Sequence, residues 1–278
     1  MAQEKPLFTF AVIADAQYCN CETMGTRFYK KTPDKLHAAI DTINLTQPEF
    51  TIHLGDLIDR DFESYDTVLP ILKKLKSKVY FVLGNHDFSV EDSQKDLVLN
   101  KLGMNHSYYT FKIKNIKFVV IDGTDFAPYR YSSTSPLYEK TQTELNQYIS
   151  KGLSQAKPWN GAISNEQQTW LKNTLQQTTK DEKLILFCHY PIYPQSDLNL
   201  MNDQEILDII NPYKNKIIAW INGHNHQGNY AQFEGIHFLN LKGMLETDNI
   251  NSFTIIEIYN NYLKINGYGD EPDRILNL

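Results

Sequence analysis

Five apolar runs in this chain stop abruptly at residues that bind cations, and no other feature constrains its fold as tightly. Residues 8–13 lead into Asp15-Ala16-Gln17, and residues 50–54 lead into Gly55-Asp56-Leu57-Ile58-Asp59. Residues 79–83 lead into Gly84-Asn85-His86-Asp87, and residues 184–187 into His189-Tyr190-Pro191. Residues 217–221 lead into Asn222-Gly223-His224-Asn225-His226. Asp and Gln are costly to bury and poor strand formers. Taken singly, each exit has an ordinary explanation. Asp15 or Asp56 caps a turn or a helix, Asn85 forms a turn, and a lone histidine sits half-buried. Independent loops would not place oxygen and imidazole ligands at all five exits. Ligands in open α/β sheets collect beyond the carboxyl ends of strands. The spacing therefore predicts one crevice shared by these residues.

The runs themselves, with residues 118–121, are β-branched and aromatic and almost continuously apolar. Strands of that kind are buried on both faces, which makes this an α/β protein. Thr32-Pro33-Asp34 offers an N-cap, a first-position proline and an acid in the first turn of a helix through Leu36, Ala39, Ile40 and Ile43, stopped by Pro48. Ser164 with Gln167 resembles a capping box, and Asn202-Asp203 precedes a short helix. Hairpins are expected across Lys114-Asn115 and across Asn260-Asn261, so the sheets should be mixed. Residues 129–162 have little periodicity beyond a helix-like patch near Leu145 and read as an insertion over the rim.

The chain's 278 residues, 41% of them hydrophobic, can bury a large core as one domain or two. A net charge of −6 argues against nucleic acid or an anionic membrane as partner, though not against an anionic substrate held by metal ions. Cys19, Cys21 and Cys188 make no even set, which argues against a disulfide framework and points to a reducing cytoplasm. Cys19-Asn20-Cys21 is a weak redox or soft-metal signal. The start, residues 1–6, is polar, and no stretch is long enough to span a bilayer.

In order and spacing, Asp15-x-Gln17, Gly55-Asp56, Gly84-Asn85-His86-Asp87, His189 and Gly223-His224-x-His226 resemble the calcineurin-like metallophosphoesterases. Most members have His where Gln17 stands. The Gln form, with Gly25-Thr26-Arg27-Phe28-Tyr29 and residues 241–247, resembles the manganese-dependent ADP-ribose/CDP-alcohol diphosphatases. The resemblance implies a single domain over residues 1–278. Its fold would be a four-layer sandwich, two mixed β-sheets face to face with flanking helices and the site at one rim. It implies two divalent cations bridged by Asp56. Asp15, Gln17 and His226 complete one site, and Asn85, His189 and His224 the other. The mixed oxygen and nitrogen donors suit Mn²⁺ and permit Fe, Co, Zn or Mg. Gln17 supplies a neutral oxygen, which should favour manganese over zinc.

By the same resemblance His86 binds the phosphoryl group or protonates the leaving oxygen, and Asp87 is the candidate to orient it. Arg27 is the candidate for a second phosphate, with Phe28 and Tyr29 as candidates to stack on a base. Tyr18, Tyr190 and Tyr230 are similar candidates. His53, Asn222 and Cys188 read as structural. The expected activity is hydrolysis of the phosphoanhydride bond of small nucleotide diphosphates (ADP-ribose, CDP-alcohols) by a hydroxide held between two metals. The alternatives are a cyclic-nucleotide or general phosphodiesterase, or a non-catalytic interaction scaffold. The sequence leaves the oligomeric state open.

Overall fold

The computed structural model describes residues 4–278; residues 1–3 of the polar start lie outside the described residues. Among the described residues twelve strands run in chain order: β1 (Phe8–Ile13), β2 (Phe50–His53), β3 (Lys78–Phe81), β4 (Tyr109–Ile113), β5 (Ile116–Val120), β6 (Lys183–Phe187), β7 (Ile217–Asn222), β8 (Asn229–Phe233), β9 (Ile236–Asn240), β10 (Ser252–Ile258), β11 (Tyr262–Gly269) and β12 (Arg274–Asn277). The helices are α1 (Thr32–Thr46), α2 (Ser64–Leu72), α3 (Val98–Lys101), α4 (Pro136–Ser150), α5 (Asn165–Gln176) and α6 (Asp203–Ile210). One sheet has the order β12-β11-β10-β1-β2-β3 and the other β4-β5-β6-β7-β9-β8.

Strand alternation explains the layers. In β1, Phe8, Phe10 and Val12 point into a core between the sheets, with Phe50, Ile52, Phe118, Val120, Ile185, Phe187 and Ile221. Ala11 and Ile13 point the other way, onto Leu36, Ile40 and Ile43 of α1 and Val68 and Leu72 of α2. On the second sheet, Leu184, Leu186 and Trp220 meet Leu171 and Leu175 of α5 and Ile206 and Ile210 of α6. Both faces of the central strands are covered, which is why their sequences read as continuous apolar runs. The result is the expected four-layer order: helix, sheet, sheet, helix.

The helix starts partly differ from expectation. Thr32 is the first helical residue rather than the cap. Its hydroxyl instead donates to Ala16 O at 2.6 Å, between the first two candidate ligands. Ser164 does cap α5, accepting from Gln167 N. The Gln167 amide does not close a capping box; it bonds the Asp122 backbone. The β4–β5 hairpin takes its left-handed residue at Lys114, whereas neither Asn260 nor Asn261 adopts positive φ. Helix α2 contains Pro70, and α4 is far longer than the patch around Leu145. Cys19 and Cys21 are paired in a local disulfide two residues apart, which ties no distant parts of the chain together, and Cys188 is free. That pairing removes the argument from cysteines for a reducing compartment. No helix among the described residues is long and apolar enough to cross a membrane.

Phe118 is fully buried and its ring meets those of Phe8, Phe10, Phe50, Phe111 and Phe187. Phe118→Ala is expected to cost about 3–5 kcal/mol of stability, read from urea unfolding monitored by circular dichroism. A loss below about 1 kcal/mol would mean that the interface between the sheets is not the main core.

Candidate metal centre

Strands β1, β2 and β3 are parallel neighbours with Ile13, His53 and Phe81 in register. Strands β6 and β7 are parallel as well, with Phe187 level with Ile221. Both sets release their chains at the same rim. Within the first sheet Gln17 N donates to Asp56 O at 2.8 Å, and the exits of the two sheets are joined where His224 N donates to Asp15 Oδ1 at 3.2 Å.

The backbone at these exits is bent to aim side chains inward. Asp15, Gln17, Asp56 and His224 all have positive φ, between 40° and 68°. Such conformations are uncommon for non-glycine residues and cluster at functional sites. Neighbouring glycines make room for them. A Cβ on Gly84 would lie 2.1 Å from Asp56 Oδ1, and one on Gly223 would lie 2.5 Å from Asp15 Oδ2.

The donor atoms form two groups that share one residue. Single ligand atoms of Asp56, His189 and His224 all lie within 4.8 Å of one another, and so do those of Asp15, Asp56 and His226. Asp56 Oδ2 is 3.2 Å from His189 Nε2 and 3.0 Å from Gln17 Nε2. His226 Nε2 is 3.5 Å from Asp15 Oδ1. Each histidine has its outer nitrogen engaged. His189 Nδ1 bonds Leu54 O at 2.8 Å, His224 Nε2 bonds Asn160 Oδ1 at 2.9 Å, and His226 Nδ1 bonds Glu246. The inner nitrogens are left facing the cluster, the arrangement that fixes a metal-binding tautomer.

The chemistry of this set fits two divalent cations. Asp15, Asp56 and His189 are fully buried, so the carboxylates need a positive partner. Burial works against protonation of His189, but the Asp56 charge and hydrogen bond outweigh it and hold the ring at about 9. Burial likewise opposes charge on His226, yet Asp15 and Glu246 pull it up to about 9. Burial and the neighbouring His189 push His224 the other way, well below the ordinary imidazole value. The buried carboxylates thus draw positive charge toward His189 and His226, and a divalent cation would answer the same demand. Gln17 Oε1 is buried with no partner, while Nε2 faces Asp56 and His226. An oxygen ligand at this position requires the opposite amide orientation, which leaves the heavy-atom positions unchanged.

Above the cluster lies a cavity of about 590 Å³ lined in part by Arg27, Asn85, His86, Ser89, Tyr129 and Trp159. His86 Nδ1 is 2.9 Å from Asp59 Oδ1. Burial lowers the affinity of His86 for a proton, but the Asp56 charge and the Asp59 bond raise its pKa above the ordinary imidazole value. Asp59, not Asp87, therefore orients His86. Asp87 is committed elsewhere: its carboxylate accepts from Asp56 N, Leu57 N and Gly84 N at 2.9–3.0 Å and from the Tyr65 hydroxyl. It shapes the loops around Asp56.

Other sequence candidates are not at the cavity. Tyr29 is fully buried against Cys19 and Leu245, and Phe28 is half-buried away from the lining. Tyr18 packs under the outer core, Tyr230 bonds His237 on β9, and Tyr190 is fully buried. Aromatic residues following a glycine turn have two faces available, and here packing takes Tyr29 inward. Three contributors were unread in the sequence: Asp59, Asn160 and Glu246. Asp59 and Glu246 lay within the quoted motifs, but nothing local shows where they point. Asn160 sits in the 129–162 segment and had no signal. As expected, Cys188 is packed, burial pushing its thiol up to about 12, and Asn222 braces the double-histidine turn through Gly223 O and Asn240. His53 is fully enclosed with both ring nitrogens unpaired, and burial lowers it to about 4.

A family model described as calcineurin-like phosphoesterase matches residues 8–228. The chain belongs to the calcineurin-like phosphoesterase family. This phosphoesterase is 29% identical to the human manganese-dependent ADP-ribose/CDP-alcohol diphosphatase over 98% of its own length and 93% of the relative's. It is 28% identical to the enzyme of that name from Arabidopsis thaliana, over 96% of each chain. The crystal structure of a dimetal phosphatase from Danio rerio has the same fold, with a TM-score of 0.87, 24% identity, and 98% and 99% of the two chains covered.

The phosphoesterase tolerates no side chain at residue 84. Gly84→Ala is expected to weaken Mn²⁺ binding at least about tenfold in calorimetric titration, because Asp56 must move. Unchanged affinity would show that the Asp56 carboxylate is not held against the Gly84 backbone.

Proposed function

We propose that this chain hydrolyses the phosphoanhydride bond of small nucleotide diphosphates of the ADP-ribose and CDP-alcohol kind, with two divalent cations, Mn²⁺ foremost. The reading rests on the two donor groups sharing Asp56 at the floor of a cavity that also holds His86 and Arg27. Asp15, Gln17, Asp56 and His226 would hold one cation; Asp56, Asn85, His189 and His224 would hold the other. A bound cation pair supplies Lewis-acid activation of water and of the phosphate. The names of the full-length relatives support the substrate class.

The remaining steps belong to this chain's own residues. With Nδ1 tied to Asp59, His86 presents Nε2 to the cavity. As the bridging P–O bond breaks, that nitrogen donates a proton to the leaving oxygen. Arg27 is about one-third exposed on the cavity wall, and its nearest carboxylate, Glu246, is 3.9 Å away. Its guanidinium remains available to the second phosphate, which a monophosphate substrate lacks. The rim segment, residues 129–162, would supply nucleoside contacts through Trp159, exposed at the cavity edge.

Two experiments test this. A panel of ADP-ribose, CDP-choline, cyclic AMP and an artificial phosphodiester, assayed with Mn²⁺, should show the diphosphates cleaved best, with activity abolished by chelation and restored by Mn²⁺. Preference for cyclic AMP would favour a cyclic-nucleotide phosphodiesterase, and no turnover with no metal bound a scaffold. His86→Ala should retain metal in calorimetric titration while kcat falls about 10²–10⁴-fold; unchanged turnover would remove its role.

A further inference from the structure

Tyr190 lies at the junction of three candidate ligands of the second cation. Its fully buried ring stands edge-on to His189 with centroids 4.9 Å apart, and its centroid is 4.5 Å from that of His224. Its hydroxyl makes a short hydrogen bond with the Tyr129 hydroxyl and lies 3.4 Å from both Asn85 Oδ1 and Trp159 O. Tyr129 lines the cavity with Asn85 and His86. Gly161 closes the other side: a Cβ there would come within 2.9 Å of the Tyr129 hydroxyl.

The protons in this group can be counted. Each phenol has one, and in the short bond one hydroxyl donates and the other accepts. Asn85 Oδ1 and Trp159 O only accept, at a distance too long for a strong O–H···O bond. Two arrangements satisfy the pair. Tyr129 donates to Tyr190, whose proton then points at the two distant acceptors. Alternatively, Tyr190 donates to Tyr129, and the Tyr129 proton is free for the cavity. An anionic phosphoryl oxygen selects the second arrangement, because its bond from Tyr129 is charge-assisted and reinforced by the one from Tyr190.

We propose that Tyr129 donates a hydrogen bond to the substrate's phosphoryl group and that Tyr190 is the positioning residue behind it. No proton changes owner; two hydroxyls turn. The proposal rests on the reading of this site as a phosphoesterase centre. The test is titration of inorganic phosphate into Mn²⁺-saturated wild type, Tyr129→Phe, Tyr190→Phe and the double variant, followed by calorimetry. Phenylalanine keeps both rings, and a parallel Mn²⁺ titration checks the metal. Tyr129→Phe is expected to lose about tenfold in phosphate affinity, Tyr190→Phe less, and the double variant no more than Tyr129→Phe, since Tyr190 acts through Tyr129. Equal affinity in wild type and Tyr129→Phe, additive losses, or loss of Mn²⁺ from Tyr190→Phe would each overturn the proposal alone. Failure of the Mn²⁺-saturated wild type to bind phosphate would overturn the reading of the site with it.

Discussion

The centre depends on one buried carboxylate. Asp56 has no exposed surface, yet the groups around it keep it ionised. Burial raises its pKa, but the surrounding histidines, His189 first, drive it well below the usual carboxylate range. Its Oδ1 accepts the His86 backbone N–H, and its Oδ2 faces Gln17 and His189. One side chain, itself on the loop after β2, thus touches the loops that follow β1, β3 and β6. Its positive φ and the bare Cα of Gly84 let it reach that position. A charge so placed is tolerable only if positive charge is close by, and this requirement organises the donors on both sides.

Around that carboxylate, the outer contacts come from distant parts of the chain. Leu54 O holds His189, Asn160 holds His224, and Glu246 holds His226. Asn160 is itself fully buried and donates to Gln155 O and Asp197 O, each at 2.8 Å. The segment over the rim is therefore tied to the cluster as well as covering it. Lys35 of α1 plays a comparable part for the other side, donating to the carbonyls of Met244 and Thr247 in the loop that carries Glu246. Helix α1 thus holds the loop whose Glu246 holds His226.

Much of this was legible in the residues. Seven ligand candidates stood at strand exits, and the strands were readable because burial on both faces leaves few polar positions. The edge hairpin β8–β9 was missed because β8 is mostly exposed and carries no apolar run. Helix α2 was missed because Pro70 interrupts its pattern. The assignment of Asp87 to His86 followed chain proximity. In the structure a residue three positions after Asp56 takes that place, since a bridge between Tyr18 and Ile58 turns Asp59 toward the site.

The sequence by itself determined the buried strands, their α/β setting and the exits where oxygen and imidazole groups gather, because periodicity and residue chemistry are local properties. The four-layer order and the ligand set came with the family resemblance. Only the tertiary structure decided which nitrogen of each histidine faces inward, which carboxylate orients His86, and which aromatic residues reach the cavity. Those choices depend on contacts between residues tens to hundreds of positions apart, and no local pattern records the direction in which a loop side chain points.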